Sequence, residues 1–119
     1  MTMTLTMTLT GPWVDVCPTD ALIPGRGAAA LIDGEQVAIF RLPGGGVRAI
    51  DNYDPVGRAH VMSRGLVGSI GDAVVVASPL YKHHIDLDTG ACLERPDVAV
   101  RTWPVEIRDG RVLLGSPSS

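Results

Sequence analysis

The stretch ASPLYKHHIDLDTGACL, residues 77–93, is the part of this chain that decides its fold. An apolar strand ends at Ser78-Pro79, a basic and imidazole cluster follows, and Asp88-Thr89-Gly90 turns the chain back. This order is typical of a loop that presents ligands to a metal cluster. Ser78 and Tyr81 stand where such a loop would carry its ligands, which raises the question of what the stretch does without them.

The 119-residue chain has the length of a single domain and the composition of a folded protein. It is 45% hydrophobic and 19% charged, and its formal net charge is −3. No basic patch of the kind that binds phosphates appears, since Lys82 is the only lysine and the arginines are scattered singly. These properties argue against a disordered chain and against nucleic-acid binding through phosphate contacts.

The domain is expected to occupy residues 12–115, between a flexible leader at residues 1–11 and a flexible tail at residues 116–119. The leader lacks the charged start and long apolar core of a signal peptide. No apolar run approaches the ~18 to 20 residues of a membrane span. Cys17 and Cys92 have no metal-ligand spacing, and nothing marks a secreted chain. We therefore expect two buried free thiols and a cytoplasmic protein.

Glycine and proline divide the chain into short apolar segments, which predicts an all-β fold. Turn dipeptides at Asp33-Gly34, Gly71-Asp72 and Asp109-Gly110 indicate hairpins. Because Val74-Val75-Val76 is apolar on both faces, it is expected in a central strand. Residues 51–64 are predicted to be irregular, and residues 19–23 to form one helical turn at most. The predicted strands are residues 13–17, 28–32, 36–42, 47–50, 66–70, 73–77, 83–87, 101–108 and 111–114.

The histidines do not form a metal site by spacing. His83 and His84 are adjacent in a predicted strand, so their side chains point to opposite faces and cannot share one metal ion. His83 lies on the face of Ile85 and Leu87, where we expect it to be partly buried and hydrogen-bonded. His60 has no cysteine or second histidine at ligand spacing.

Motifs of other active sites are also incomplete. Ser78 lacks the Gly-x-Ser-x-Gly elbow, and the sequence places no aspartate or histidine to activate it. The glycine runs at residues 25–27 and 44–46 do not open a helix, as phosphate-binding loops must. Asp51-Asn52-x-Asp54 begins like a calcium loop but lacks the glycine and distal glutamate that complete one. The residues alone predict a β scaffold with no self-evident active centre.

Residues 78–90 resemble the second ligand loop of Rieske-type iron-sulfur domains, where Cys-Pro-x-His-Gly precedes an apolar strand and a Thr-Gly turn. The first loop of such domains carries Cys-x-His, whose positions fall here on Asp54 and Val56. A Rieske centre needs two thiolates and two imidazoles. This chain has Asp54, Val56, Ser78 and Tyr81 at those positions, so the resemblance implies vestigial cluster loops that bind no metal and no cofactor.

Among Rieske-like proteins, this departure resembles the small subunit of assimilatory NAD(P)H-dependent nitrite reductase. The likeness is carried by Asn52-Tyr53-Asp54-Pro55, Ser63-Arg64-Gly65 and Ser78-Pro79-Leu80, in that order. The family's large subunit carries FAD, an iron-sulfur cluster and sirohaem and reduces nitrite to ammonium. The resemblance implies a cytoplasmic, non-catalytic subunit of an oxidoreductase, inactive alone, that binds this large subunit and neither nucleic acid nor membrane.

The resemblance also implies the architecture: a three-layer antiparallel β-sandwich of the Rieske-like [2Fe-2S] ferredoxin type. A small subdomain is expected between a strand that ends near Ile50 and one that begins near Asp97. We expect the vestigial loops, residues 52–64 and 78–84, to contact the large subunit through the side chains of Tyr53, Arg58, Arg64, Tyr81 and Lys82.

Other interpretations remain open at this stage. The loops could simply be retained turns, with Arg64 and Tyr81 tying them together. The chain could instead be a genuine Rieske-type ferredoxin that passes single electrons, or a stand-alone β binding module without a redox partner.

Overall fold

The computed structural model of the chain describes residues 8–10 and 13–117. The regular secondary structure within them is almost entirely β-strand, with short 3-10 turns at Thr19–Ala21 and Met62–Arg64. The strands are β1 (Thr8–Thr10), β2 (Trp13–Pro18), β3 (Gly27–Ile32), β4 (Glu35–Arg41), β5 (Val47–Asp51), β6 (Tyr53–Asp54), β7 (Ala59–His60), β8 (Leu66–Ile70), β9 (Ala73–Ala77), β10 (His84–Asp86), β11 (Thr102–Trp103), β12 (Val105–Arg108) and β13 (Arg111–Leu114).

Three antiparallel sheets form three layers. Their strand orders are β1-β2-β13-β12, β11-β5-β4-β3 and β10-β9-β8, and β6 and β7 form a small separate hairpin. The sheet β11-β5-β4-β3 is the middle layer, because its residues contribute to cores on both of its faces. The all-β prediction and the central place of the valine run in β9 are therefore confirmed.

The alternation of side chains along β4 separates the two cores. Val37 and Ile39 face the sheet of β2 and β13, whereas Ala38 and Phe40 face the three-stranded sheet. All four side chains are fully buried. A strand that is apolar on both faces belongs in the middle of a layered fold.

The small subdomain is inserted between β5 and β11, as expected. β11 pairs with β5 through Thr102 opposite Ile50, and β6 to β10 lie between them in the chain. The returning strand begins at Thr102, later than the predicted Asp97. Isolated bridges, Ile85 with Cys92 and Ala91 with Ala99, occupy the intervening segment.

Turn residues set most strand boundaries. Asp33, Gly34, Asp109 and Gly110 all have positive φ, as two-residue hairpin turns between twisted strands require. The predicted strand at residues 101–108 is divided at Pro104 into β11 and β12, which lie in different sheets. Proline has no N–H for a strand ladder, so a sheet change at this position follows from its chemistry.

Other differences are local. The region predicted as irregular contains the β6–β7 hairpin and a 3-10 turn, and β10 covers only His84–Asp86. Cys17 and Cys92 are buried free thiols, as expected. Of the predicted leader, residues 8–10 pair with β2, while residues 1–7 and 11 lie outside the described part of the chain. The flexibility of the leader and of the tail stays a prediction.

Candidate functional site

Two loops meet at one end of the three-stranded sheet, and we call them the paired loops: residues 52–64 and residues 78–84. Ser78 Oγ donates a hydrogen bond to Asp54 Oδ2 at 2.5 Å. Asp54 is fully buried, and Ser78 is 1% exposed. The two positions that the Rieske resemblance assigns to cysteine are therefore in direct contact.

The Asp54 carboxylate accepts hydrogen bonds from both of the paired loops. Its Oδ1 accepts hydrogen bonds from the backbone N–H groups of Val56 at 2.9 Å and Gly57 at 3.1 Å. Burial alone would raise the pKa of Asp54, but the hydrogen bonds from Ser78, Gly57 and Val56 and the nearby His83 outweigh it and hold the pKa below its usual value. The carboxyl group is therefore a buried anion that orders the loop around it.

Backbone hydrogen bonds close the second loop on itself. The Ser78 N–H donates to the His83 carbonyl at 2.9 Å, and the Lys82 N–H donates to the Ser78 carbonyl at 3.0 Å. Lys82 has a φ of 59°, in the left-handed region, where the Rieske loop has glycine. The loop thus keeps the backbone turn of a ligand loop although its side chains differ.

Gly57 allows the loops to approach closely. A Cβ atom at this position would lie 2.5 Å from Leu80 Cδ1 and 3.0 Å from Asp54 Oδ2. A larger residue would therefore displace the Leu80 side chain and crowd the Asp54 carboxylate. Glycine at this position leaves room for the two loops to pack directly on each other.

Asn52 attaches the first loop to the middle layer. Its Nδ2 donates to Gln36 Oε1 at 3.0 Å, and its Oδ1 accepts from the Ser63 N–H at 2.8 Å. Asn52 is 2% exposed. Since its amide joins β4 to both ends of the loop, Asn52 has a positioning role that the sequence did not reveal.

The histidines lie on opposite faces, as predicted. His83 is buried, and its Nε2 lies 3.1 Å from Asp54 Oδ1, although without the alignment of a hydrogen bond. The expected hydrogen bond is absent, because neither ring nitrogen has a partner of suitable geometry among the described residues. His84 is half-buried, and its Nδ1 lies 2.6 Å from Glu94 Oε2.

The side chains expected at an interface all lie on the surface. Tyr81 is 69% exposed and Tyr53 is 40% exposed. The Tyr53 ring packs edge-on against His60 at 5.1 Å between ring centroids. The remaining members of this set, Arg58, Arg64 and Lys82, are exposed.

Comparison with known proteins places this arrangement in a family. Residues 12–115 match the Rieske-like [2Fe-2S] domain family. The nitrite reductase (NADH) small subunit of Salmonella typhimurium is 42% identical over 86% of this chain and 95% of that protein. The chain belongs to the Rieske-like nitrite reductase small subunits.

Solved structures agree with this family. The Escherichia coli protein NirD has a TM-score of 0.81 and 39% identity, over 89% of this chain and 97% of that one. A ferredoxin of carbazole 1,9a-dioxygenase from Nocardioides aromaticivorans has a TM-score of 0.77 and 25% identity, over 88% of this chain and 98% of that one. The three-layer Rieske-like fold is thereby confirmed.

One relative is a much longer protein. The nitrite reductase [NAD(P)H] large subunit of Klebsiella oxytoca is 41% identical over 88% of this chain. The chain spans only 11% of that protein's length. A domain like this small subunit is therefore part of a longer polypeptide in Klebsiella.

The side chains of this small subunit do not fit a Rieske cluster. At the two cysteine positions, Asp54 and Ser78 are hydrogen-bonded to each other. An iron ion bound between them would have to break this hydrogen bond. At the two histidine positions, Val56 has no ligating atom, and the phenol of Tyr81 is exposed. Within the described ranges, no group of three or more histidine, cysteine, aspartate or glutamate side chains could hold a metal ion.

The buried trio of Asp54, Ser78 and His83 is not a hydrolytic triad of the small subunit. In such a triad the imidazole stands between serine and carboxylate and takes the serine proton. Here Asp54 stands between Ser78 and His83, and Ser78 is inaccessible. The sequence did not indicate that an aspartate contacts Ser78, because the two residues lie 24 positions apart in the chain.

Proposed function

We propose that this chain is the non-catalytic small subunit of an assimilatory NAD(P)H-dependent nitrite reductase, which reduces nitrite to ammonium. The observation that carries the proposal is the buried contact between Asp54 and Ser78, which closes the loops with protein atoms alone. Nitrite reduction to ammonium takes six electrons and needs cofactors that store and pass them. A chain without ligands for such cofactors contributes binding and positioning, and alone it is inactive.

The partner in this proposal is a large subunit that carries FAD, an iron-sulfur cluster and sirohaem. The relative from Klebsiella supports it, because a domain like this chain is covalently joined there to the rest of a large subunit. Where the domain is a separate chain, a non-covalent interface has to replace that covalent connection. The small subunit would bind and support the large subunit.

The paired loops are the proposed contact surface. The exposed side chains of Tyr53 and Tyr81 offer large, rigid contact area, and arginine supplies several donors in a planar group. Among the described residues, Arg64 and Tyr81 make no side-chain hydrogen bond or ion pair. Their side chains are therefore available to a partner, which argues against the alternative that they tie the loops together.

An electron carrier is the second candidate, since the fold is shared with a ferredoxin. The electron-carrier function is less favoured because a Rieske centre needs thiolates and imidazoles. Val56 and the hydrogen-bonded Asp54 and Ser78 do not supply them. The third candidate function is that of a stand-alone binding module, which would have no affinity for a nitrite reductase large subunit.

We assign the subunit to the cytoplasm, because buried free thiols such as Cys17 and Cys92 suit a reducing compartment. No helix in the described part of the chain is long and apolar enough to cross a membrane.

Binding to the large subunit tests the proposal. The purified chain is titrated against the large subunit by calorimetry, and nitrite-dependent NAD(P)H oxidation is followed with and without it. We expect a specific complex and no turnover by the isolated small subunit. The control is the Nocardioides ferredoxin, which shares the fold but belongs to a carbazole 1,9a-dioxygenase. It should not bind the large subunit. Absence of a complex at micromolar concentrations would overturn the proposal.

A further inference from the structure

A groove of about 610 Å³ lies beside the paired loops, and we call it the Leu66 groove. Leu66, Ala77 and His84 are cross-strand partners in β8, β9 and β10, so their side chains lie on one face of the three-stranded sheet. This is the outer face, since Val67, Val76 and Ile85 pack on the core side. Arg64, Pro79 and Lys82 from the paired loops border the groove.

The groove is partly apolar and open. Leu66 is 71% exposed, the highest fraction among the large hydrophobic side chains of the described residues. Ile70 lies on the same face of β8 and is 45% exposed, and Leu80 at the neighbouring loop is 46% exposed. Ile70 and Leu80 do not line the groove itself, and Leu66 is its exposed apolar side chain. An exposed apolar side chain in a groove is typical of a protein contact.

The border of the groove on the side of the paired loops is positively charged, whereas on the side of β10 the groove residue His84 contacts Glu94. Arg64 and Lys82 have no acidic partner within the described residues, and neither does the nearby Arg58. Most other arginines are paired with carboxylates, namely Arg48, Arg95, Arg101, Arg108 and Arg111. Unpaired cations are thus concentrated at one end of a chain whose net charge is −3. Charge complementarity requires carboxylates on the surface that covers them.

We propose that the Leu66 groove receives an apolar segment of the large subunit flanked by acidic residues. The inference rests on the proposed function and extends the contact surface from the paired loops onto the outer face of the sheet. Leu66 is the apolar anchor of this contact, and Arg64 and Lys82 pair with the flanking carboxylates. The continuity of the groove with the paired loops lets one partner cover both.

The apolar part is tested with Leu66→Ser in the full chain, by calorimetry against the large subunit. The matched control is Leu31→Ser, because Leu31 is an exposed leucine in β3, an edge strand of the middle sheet. Loss of a buried leucine contact should weaken binding by about tenfold or more. The control should bind within about twofold of the parent. Equal affinities of parent and Leu66→Ser, in folded proteins, would overturn the inference.

The charged part is tested with the double substitution Arg64→Glu and Lys82→Glu. We expect the double variant to bind at least about tenfold more weakly, since attractive charge pairs are replaced by repulsion. Added salt should weaken binding of the parent, which relies on these attractive pairs, more than binding of the double variant. Arg108→Glu is the control, because Arg108 is also exposed but lies on β12 in the opposite outer sheet. Unchanged affinity in the double variant would refute the acidic character of the partner segment.

The outcomes separate this inference from the proposed function. If the parent does not bind the large subunit, the proposed function fails. If the parent binds and Tyr81→Ala weakens the complex while Leu66→Ser does not, only the Leu66 groove is excluded. If sedimentation shows that the parent forms dimers that Leu66→Ser dissociates, a second copy of this chain occupies the groove and the inference is wrong.

Discussion

Ser78 and Asp54 are 24 positions apart in the chain, yet the Ser78 hydroxyl donates a 2.5 Å hydrogen bond to the Asp54 carboxylate. In a Rieske centre, the corresponding loops are joined because both hold ligands of one iron-sulfur cluster. In this chain a charge-assisted hydrogen bond in a buried environment joins them. The loops keep their relative position because an internal polar contact stands where ligation would be.

The first prediction is that Ser78→Ala destabilises the fold. The substitution removes a donor from a buried carboxylate, and an unsatisfied buried acceptor costs about 1 to 3 kcal/mol. Urea unfolding followed by circular dichroism measures the change in unfolding free energy. Ser69→Ala is the control, since Ser69 is exposed on β8, and its effect should stay within about 0.5 kcal/mol. Equal stability of Ser78→Ala and the parent would contradict the structural role of this hydrogen bond.

The second prediction concerns pH. The pKa of Asp54 is lowered in the folded protein, so the unfolded chain takes up the proton first as pH falls. The stabilisation by the carboxylate is therefore complete above the unfolded value of about 3.9 and is lost as pH falls through the lower folded value. The Asp54→Asn variant has no ionisable group at this position, so it lacks this pH-dependent contribution.

The measurement compares the unfolding free energies of the parent and Asp54→Asn between neutral and acidic pH. We expect the parent to be more stable at neutral pH and the difference to shrink below about pH 4. The pKa of Glu94 is also lowered, through hydrogen bonds from His84, but Glu94 is present in both proteins and cancels in the difference. A difference that grows on acidification would show that the sign of the Asp54 contribution is wrong.

The third prediction tests the close approach of the loops. Gly57→Ala places a methyl group 2.5 Å from Leu80 Cδ1 and 3.0 Å from Asp54 Oδ2, so both side chains have to give way. Overpacking of this kind costs about 1 to 3 kcal/mol. Gly44→Ala is the matched control, because no atom lies within 4 Å of a Cβ there. Similar melting curves for the two variants would show that the loops can separate without loss of stability.

Much of the fold could be predicted from local chemistry. The turns at Asp33-Gly34 and Asp109-Gly110 need positive φ at both positions, and these residue types tolerate it. The division of the predicted strand 101–108 at Pro104 was missed, although proline removes a strand N–H. The three-layer arrangement followed only from the family resemblance, because strand pairing over long sequence separations leaves no local signal.

The site was predictable in position but not in chemistry. The resemblance assigned Asp54 and Ser78 to the two ligand loops, but their contact and its hydrogen bond depend on side-chain geometry that the sequence does not show. The positioning role of Asn52 was hidden because its partners, Gln36 and Ser63, lie in other segments. Leu66 was read as an ordinary strand residue, since alternation cannot tell a covered outer face from an open one.

The fourth prediction is that the chain remains colourless after anaerobic incubation with iron and sulfide. Asp54, Val56, Ser78 and Tyr81 do not provide the thiolates and imidazoles of a Rieske centre. The Nocardioides ferredoxin treated in parallel is the positive control for reconstitution. Iron and sulfide analysis, with a visible spectrum, measures the result. Stoichiometric iron with charge-transfer bands would instead identify the chain as an electron carrier.

The last prediction locates the contact with the large subunit at the paired loops. Tyr81→Ala and Arg64→Ala, made separately, should leave the unfolding free energy within about 0.5 kcal/mol of the parent, because both side chains are exposed. Each should weaken binding of the large subunit, by at least about 2 kcal/mol if the residue is a hot spot. Thermal melting and calorimetric titration measure the two effects.

The control for this last prediction is Ile107→Ala, because Ile107 is 45% exposed on β12 in the opposite outer sheet. Truncation there should change neither stability nor binding appreciably, since an exposed side chain outside the interface has no partner to lose. If both loop variants fold and bind with losses below about 1 kcal/mol, the paired loops are not the docking surface. A loss in Ile107→Ala would instead place the contact on the sheet of β12 and β13.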